Sequence, residues 1–148
     1  MASYSTPTYS SGKPARTGMD TVTVLFGILD VSVALATNDT INLCKIPAGA
    51  QMIDVAIMSA GTQGANSDST FTVGDSGDTD RFITTAGGLA LRSGGGVSRM
   101  NGAALSAATT GIGYEYTADT DLVMTITAQG TGQTTGGRIT GYAQYRMK

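Results

Sequence analysis

Histidine is absent from this chain, and with it the commonest general base and metal ligand. A single cysteine, Cys44, stands in an apolar run, so neither an intrachain disulfide nor a zinc centre of the usual nitrogen and sulfur type can be assembled. A buried, inert thiol is the expectation there. Serines and threonines abound, but no Ser/His/Asp or Cys/His set can be built from these residues. Glu115 is the only glutamate; it sits between Tyr114 and Tyr116 in an expected strand, where alternate residues face solvent. The chain is therefore read as a protein that is not an enzyme.

Long apolar runs are missing too. The longest, Val24 to Ala36, is interrupted by Asp30 and falls far short of the ~20 residues that span a bilayer. It also begins too late, after a polar leader, to be a signal-peptide core. The expectation is a soluble protein made in the cytoplasm, with no membrane partner.

Charge is scarce, at 14% of residues against a globular norm of roughly 25%. What charge there is divides unevenly. Lys13, Arg16, Arg138, Arg146 and Lys148 lie near the ends, whereas all eleven acids fall between Asp20 and Gly137 with only Lys45, Arg81, Arg92 and Arg99 to offset them. Dispersed positive charges of this kind do not form the basic patch that nucleic-acid binding requires. Basic ends suit an acidic protein partner instead.

What the chain has in excess is glycine, 21 residues of 148, together with threonine and serine to supply surface polarity. Threonine fits a half-buried pleated surface, and frequent glycine means frequent turns. A length of 148 residues is one domain with room for a core.

Residues 1–20 mix Ser, Thr, Pro and Gly without apolar periodicity, and Pro7 and Pro14 cannot donate to a ladder. This segment reads as a flexible arm, disordered when free, with Tyr4 and Tyr9 as flat amphipathic anchors for a partner. From Thr21 to the end the period is two. Strands are expected at Val22–Phe26 and Leu29–Leu35 around Gly27, at Thr40–Ile46, and at Ala50–Ala60 with Ile53, Val55 and Ile57 opposite Met52, Asp54, Ala56 and Met58. Further strands are expected at Ser69–Val73, Tyr114–Thr117, Asp121–Ala128 and Arg138–Met147. Gly87 to Gly102 reads as a long loop, and Ala103 to Ala108 as one helical turn. Short strands separated by Gly/Asn/Asp turns argue an all-β sandwich or barrel over residues 21–148.

Two glycine-rich segments have a distant likeness to phosphate loops. Gly132 to Gly137 has the spacing of one, but Arg138 and Ile139 stand where Lys and Ser/Thr are needed, and a strand follows rather than a helix. Gly94, Gly96 and Arg99 lack the third glycine of a dinucleotide fingerprint. Both read as turns, and no cofactor is assigned.

The acidic run GDSGDTDRF carries Asp75, Asp78 and Asp80, three hard oxygen ligands of the type that holds Ca²⁺. The closing Glu of an EF-hand loop is missing. The structural alternative is adopted: Asp75 and Asp78 accept N–H bonds from their own turn, and Arg81 pairs with a neighbouring carboxylate. No metal is assigned.

INLCKIPAGAQMIDVAIMSAGT, followed by a short apolar strand and VGDSGDTDRFI, resembles the capsid cement (head decoration) proteins of tailed bacteriophages, in which a strand–IPAGA–strand hairpin precedes a GD…DTDRF turn. The C-terminal ITGYAQYRM is similar as well. The resemblance covers about 100 residues from Thr21 onward and leaves the arm unmatched. It implies a jelly-roll-like β-sandwich, a homotrimer on the outer capsid surface that bridges neighbouring capsomers, with the major capsid protein as partner and the virion as its location. The contact residues expected from the arm's tyrosines and the basic ends are Tyr4, Tyr9, Lys13, Arg16, Arg138, Arg146 and Lys148. The alternatives are a carbohydrate- or receptor-binding tail-fibre domain, disfavoured by the lack of Trp, and a tail-tube or other lattice-forming subunit.

Overall fold

The computed structural model describes residues 1, 3–5, 21–31, 35–60, 69–84, 96–100, 111–129 and 137–148. Nine strands are found among them: β1 (Ser3–Ser5), β2 (Val22–Leu25), β3 (Leu29–Val31), β4 (Thr40–Ile46), β5 (Ala50–Ala60), β6 (Thr70–Gly74), β7 (Gly96–Arg99), β8 (Thr120–Ala128) and β9 (Gly137–Met147). They form two sheets. One has the order β1-β4-β8-β6; the other runs β2-β9-β5-β7, with β3 also paired to β9. All pairings are antiparallel except β1 with β4.

Apart from β2 and β3, every pair of consecutive strands lies in opposite sheets. This alternation is what makes the sandwich jelly-roll-like, and it corrects one expectation. The strand–IPAGA–strand unit is not a hairpin, because β4 belongs to the four-stranded sheet and β5 to the five-stranded one. The connection is an arch over the sandwich edge. Pro47 ends the ladder, Gly49 takes the left-handed conformation at φ 81°, and the Ala48 and Gly49 N–H groups are satisfied by Asp119 Oδ1 and the Tyr116 carbonyl.

The core lies between the sheets. Phe26, Leu43, Ile46, Ile57, Phe71, Phe82, Met124 and Tyr145 are all buried, and the alternation seen in the sequence sends Leu122, Met124 and Ile126 of β8 and Ile139, Ala143 and Tyr145 of β9 inward. In β5 a bulge at Ile53 interrupts that alternation. Met52 pairs with Tyr145 and Asp54 with Gln144, so Met52 joins Val55 and Ile57 in the core rather than facing away from them. A like shift at Leu43 in β4 buries both Leu43 and Cys44.

Two expectations for the middle of the chain change. Within the segment read as a loop, Gly96–Arg99 is a strand that pairs with β5. Tyr114–Thr117 is not a regular strand, although Glu115 bridges Gln51 and the Met52 and Tyr116 amides bond to the carbonyls of Tyr114 and Ala50. Residues 103–108 lie outside the described residues, as does most of the arm. The arm's first residues form β1, three positions at the sheet edge in register with Thr40, Ile41 and Asn42.

Candidate functional site

The acidic run follows β6, and its geometry is set by a close approach of backbone. A Cβ on Gly74 would lie 2.0 Å from the Asp78 carbonyl oxygen, so the turn closes only with glycine there. Asp75 and Asp78 exchange backbone bonds of 2.9 and 3.3 Å across it. The Asp75 side chain turns inward and is buried. Its Oδ1 accepts the N–H groups of Gly77 (2.8 Å) and Asp78 (3.0 Å), and its Oδ2 accepts Arg81 Nε (2.8 Å) and Tyr116 Oη (2.7 Å). Burial opposes the negative charge, but the hydrogen bonds from Arg81, Tyr116 and Gly77 outweigh it and hold the carboxyl below the usual carboxylate range. The Tyr116 phenol is pushed far up by the same burial and by its bond to Asp75.

Arg81 in turn lies over the Tyr114 ring at 3.9 Å, and Tyr114 meets Tyr116 edge-on at 5.1 Å. The unit thus links the turn, the 111–117 segment and the core. Asp78 takes a smaller part, accepting the Asp80 N–H at 3.3 Å and standing 3.8 Å from Arg81. Among the described residues no group of three or more His, Cys, Asp or Glu is arranged to hold a metal.

The second buried carboxylate is Asp54, which sequence reading placed on a strand face but did not single out. Its Oδ2 accepts Arg99 Nη2 at 2.6 Å and Tyr142 Oη at 2.9 Å, while Oδ1 is buried without a hydrogen-bond partner. The signal was present only as an acid amid apolar residues of β5. Its partners are 45 and 88 positions away.

Of the residues named as partner contacts, Arg138 and Arg146 stand near opposite ends of β9 on its outward face. Arg138 pairs with Asp30 at 2.8 Å, and Arg146 donates to Gln51. Lys148 lies just beyond and pairs with Glu115 at 2.7 Å. Tyr4 is placed by its backbone in β1, opposite Ile41. Tyr9, Lys13 and Arg16 lie outside the described residues. A cavity of about 450 Å³ opens over the four-stranded sheet, lined by Lys45, Asp119, Asp121, Thr125, Ser76 and Thr79 among others, with no aromatic side chain among the described residues of its wall. Cys44 is fully buried, and burial first, then Asp121, pushes its thiol up to about 12. It offers no nucleophile at neutral pH.

No family model matches the sequence, and no curated protein does. Similarity is found in solved structures. A chain of the cyanophage Pam1 capsid asymmetric unit superposes with a TM-score of 0.66 and 18% identity over 94% of this chain and 96% of that one. A chain of the Ralstonia phage GP4 capsid superposes with a TM-score of 0.69 and 19% identity over 99% of both. The fold of this chain, from one end to the other, is one that is found in the capsids of two phages.

Proposed function

We propose that this chain is a structural virion protein without enzymatic activity, a cement protein that binds the outer surface of an assembled phage head and bridges neighbouring capsomers. The observation that carries the reading is the end-to-end fold likeness to chains of two phage capsids. Both buried carboxylates are engaged in structural bonds, Asp75 with Arg81 and Tyr116 and Asp54 with Arg99 and Tyr142, and the Cys44 thiol is inert. Binding that requires the assembled lattice stabilises the shell by mass action and needs no chemistry. Assembly as a homotrimer would multiply a modest single-site affinity through effective concentration. The chain would be made in the host cytoplasm and end in the virion, with the major capsid protein as partner.

For the sugar-binding tail-fibre alternative, the described residues that line the cavity over the four-stranded sheet include no aromatic side chain. Copy number separates the two. Quantitative mass spectrometry of purified particles should find this chain in lattice-scale numbers, comparable with the major capsid protein; a handful of copies per particle would put it on the tail.

A further inference from the structure

The solvent side of an antiparallel sheet is ordinarily polar. The four-stranded sheet conforms, with Asn42, Lys45, Asp121, Thr125 and Thr127 outward. The five-stranded sheet does not. Among the described residues, two of the five exposed large hydrophobics belong to its outer face, Leu25 (67% exposed) and Val97 (58%), and a third, Ile28 (55%), lies in the link between β2 and β3.

The strand register places Leu25 and Val97 in neighbouring rows on the two edge strands. One row crosses all four strands as Leu25, Tyr142, Ala56 and Arg99, and the next runs through Thr140, Met58 and Val97. Arg138 and Arg146 stand at either end of β9 on the same side, both exposed. The face therefore carries exposed apolar side chains on its two edge strands, with Tyr142 and Met58 between them and arginine around them; tyrosine and arginine are enriched among the side chains that dominate binding energy at protein interfaces. Of its three arginines, Arg99 pairs with Asp54 and Arg138 with Asp30, so Arg146, which donates to the neutral Gln51, leaves the face with one positive charge in excess.

Asp54 supplies an independent sign. A buried carboxylate oxygen without a partner costs stability, and such a cost is tolerated where a site must be held ready. Here the other oxygen fixes Arg99 and Tyr142 in place on the outward surface. We propose that the outer face of the five-stranded sheet is the docking surface of this protein, and that its occupant is an acidic, partly apolar patch on the outside of the capsid lattice. This rests on the cement-protein reading and names the surface by which it operates.

The test uses heads of the parent phage assembled without this chain, with binding measured by co-sedimentation. Leu25→Glu, Val97→Glu and Arg146→Glu alter exposed positions of the proposed face; Asn42→Glu and Thr127→Glu are controls on the opposite sheet. Each is checked for an unchanged circular-dichroism melt, and three face variants on three separate strands guard against one that fails to fold. The proposal expects the first three to weaken binding at least tenfold, with the controls within twofold and wild-type binding falling as salt is raised. If the controls lose binding and the first three do not, the docking surface is elsewhere. If the first three bind heads normally but lose self-association in light scattering, the face is an interface between copies and the proposal is wrong. Wild type that binds no heads at all overturns the cement-protein reading, and the docking surface with it.

Discussion

Asp75 shows how one side chain can hold a turn, a loop and a core together. Replacing it with Ala removes the acceptor for Arg81, for Tyr116 and for two turn amides at once. The expected cost is about 3 kcal/mol, because the buried phenol and the partly buried guanidinium lose their partner. Asp78→Ala should cost less, under about 1 kcal/mol, since its carboxylate makes only long contacts. Both are read from denaturant midpoints. The pH dependence has a definite sign: the folded Asp75 carboxyl is held below its unfolded value of about 3.9, so its contribution is full above that pH and is lost as the pH falls below it. The gap in Tm between wild type and Asp75→Ala should therefore narrow below about pH 4. Chelator is the companion measurement. With both Asp75 oxygens taken by protein donors, EDTA should leave the Tm unchanged; a drop reversed by Ca²⁺ would contradict that assignment. The role of the turn was legible in the sequence because Asp, Gly and Arg were adjacent. Tyr116, 41 positions away, was not, since nothing in its neighbourhood marks a phenol that must find an acid.

At the scale of elements, the alternation of apolar residues located most strands, because one face of each is pressed into a single core. What alternation cannot reveal is a bulge. At Ile53 and Leu43 an extra residue changes which side chains go inward, and only the pairing partner determines where the ladder slips. β7 was hidden for a different reason. Its four residues follow Gly94 and Gly95, and a strand that short is defined by the edge of β5 it pairs with rather than by its own propensity. The IPAGA arch could not be told from a hairpin, because both need a proline stop and a left-handed glycine. Close packing between strands is testable at Gly141 of β9. A Cβ there would meet the Ala56 carbonyl oxygen at 2.0 Å and the Phe26 ring at 3.0 Å. Gly141→Ala should destabilise by about 3 kcal/mol or more, in the range of severe overpacking, whereas Gln144→Ala on the outer face of the same strand should cost under about 1 kcal/mol. Equal midpoints for the two variants would show that the strands are not so tightly apposed.

The whole molecule is a sandwich whose two outer faces differ in character, one rich in hydroxyl groups and the other in arginine and apolar side chains. Such asymmetry suits a protein that lies on a surface. The proposed trimer is checked by light scattering, which should report about three times the 15.0 kDa chain mass at micromolar concentration. Fold class was readable from composition and period, yet the proposed role did not follow from fold class, because sandwiches serve many ends; it rests on the likeness over the whole chain to chains of two phage capsids. The most direct measurement is a cryo-EM reconstruction of heads from the parent phage, with and without the gene for this chain. The account predicts that the wild-type map shows density for a β-sandwich on the outer surface between capsomers, its five-stranded sheet toward the shell, and that this density vanishes from the deletion map. Identical outer surfaces in the two maps would contradict it.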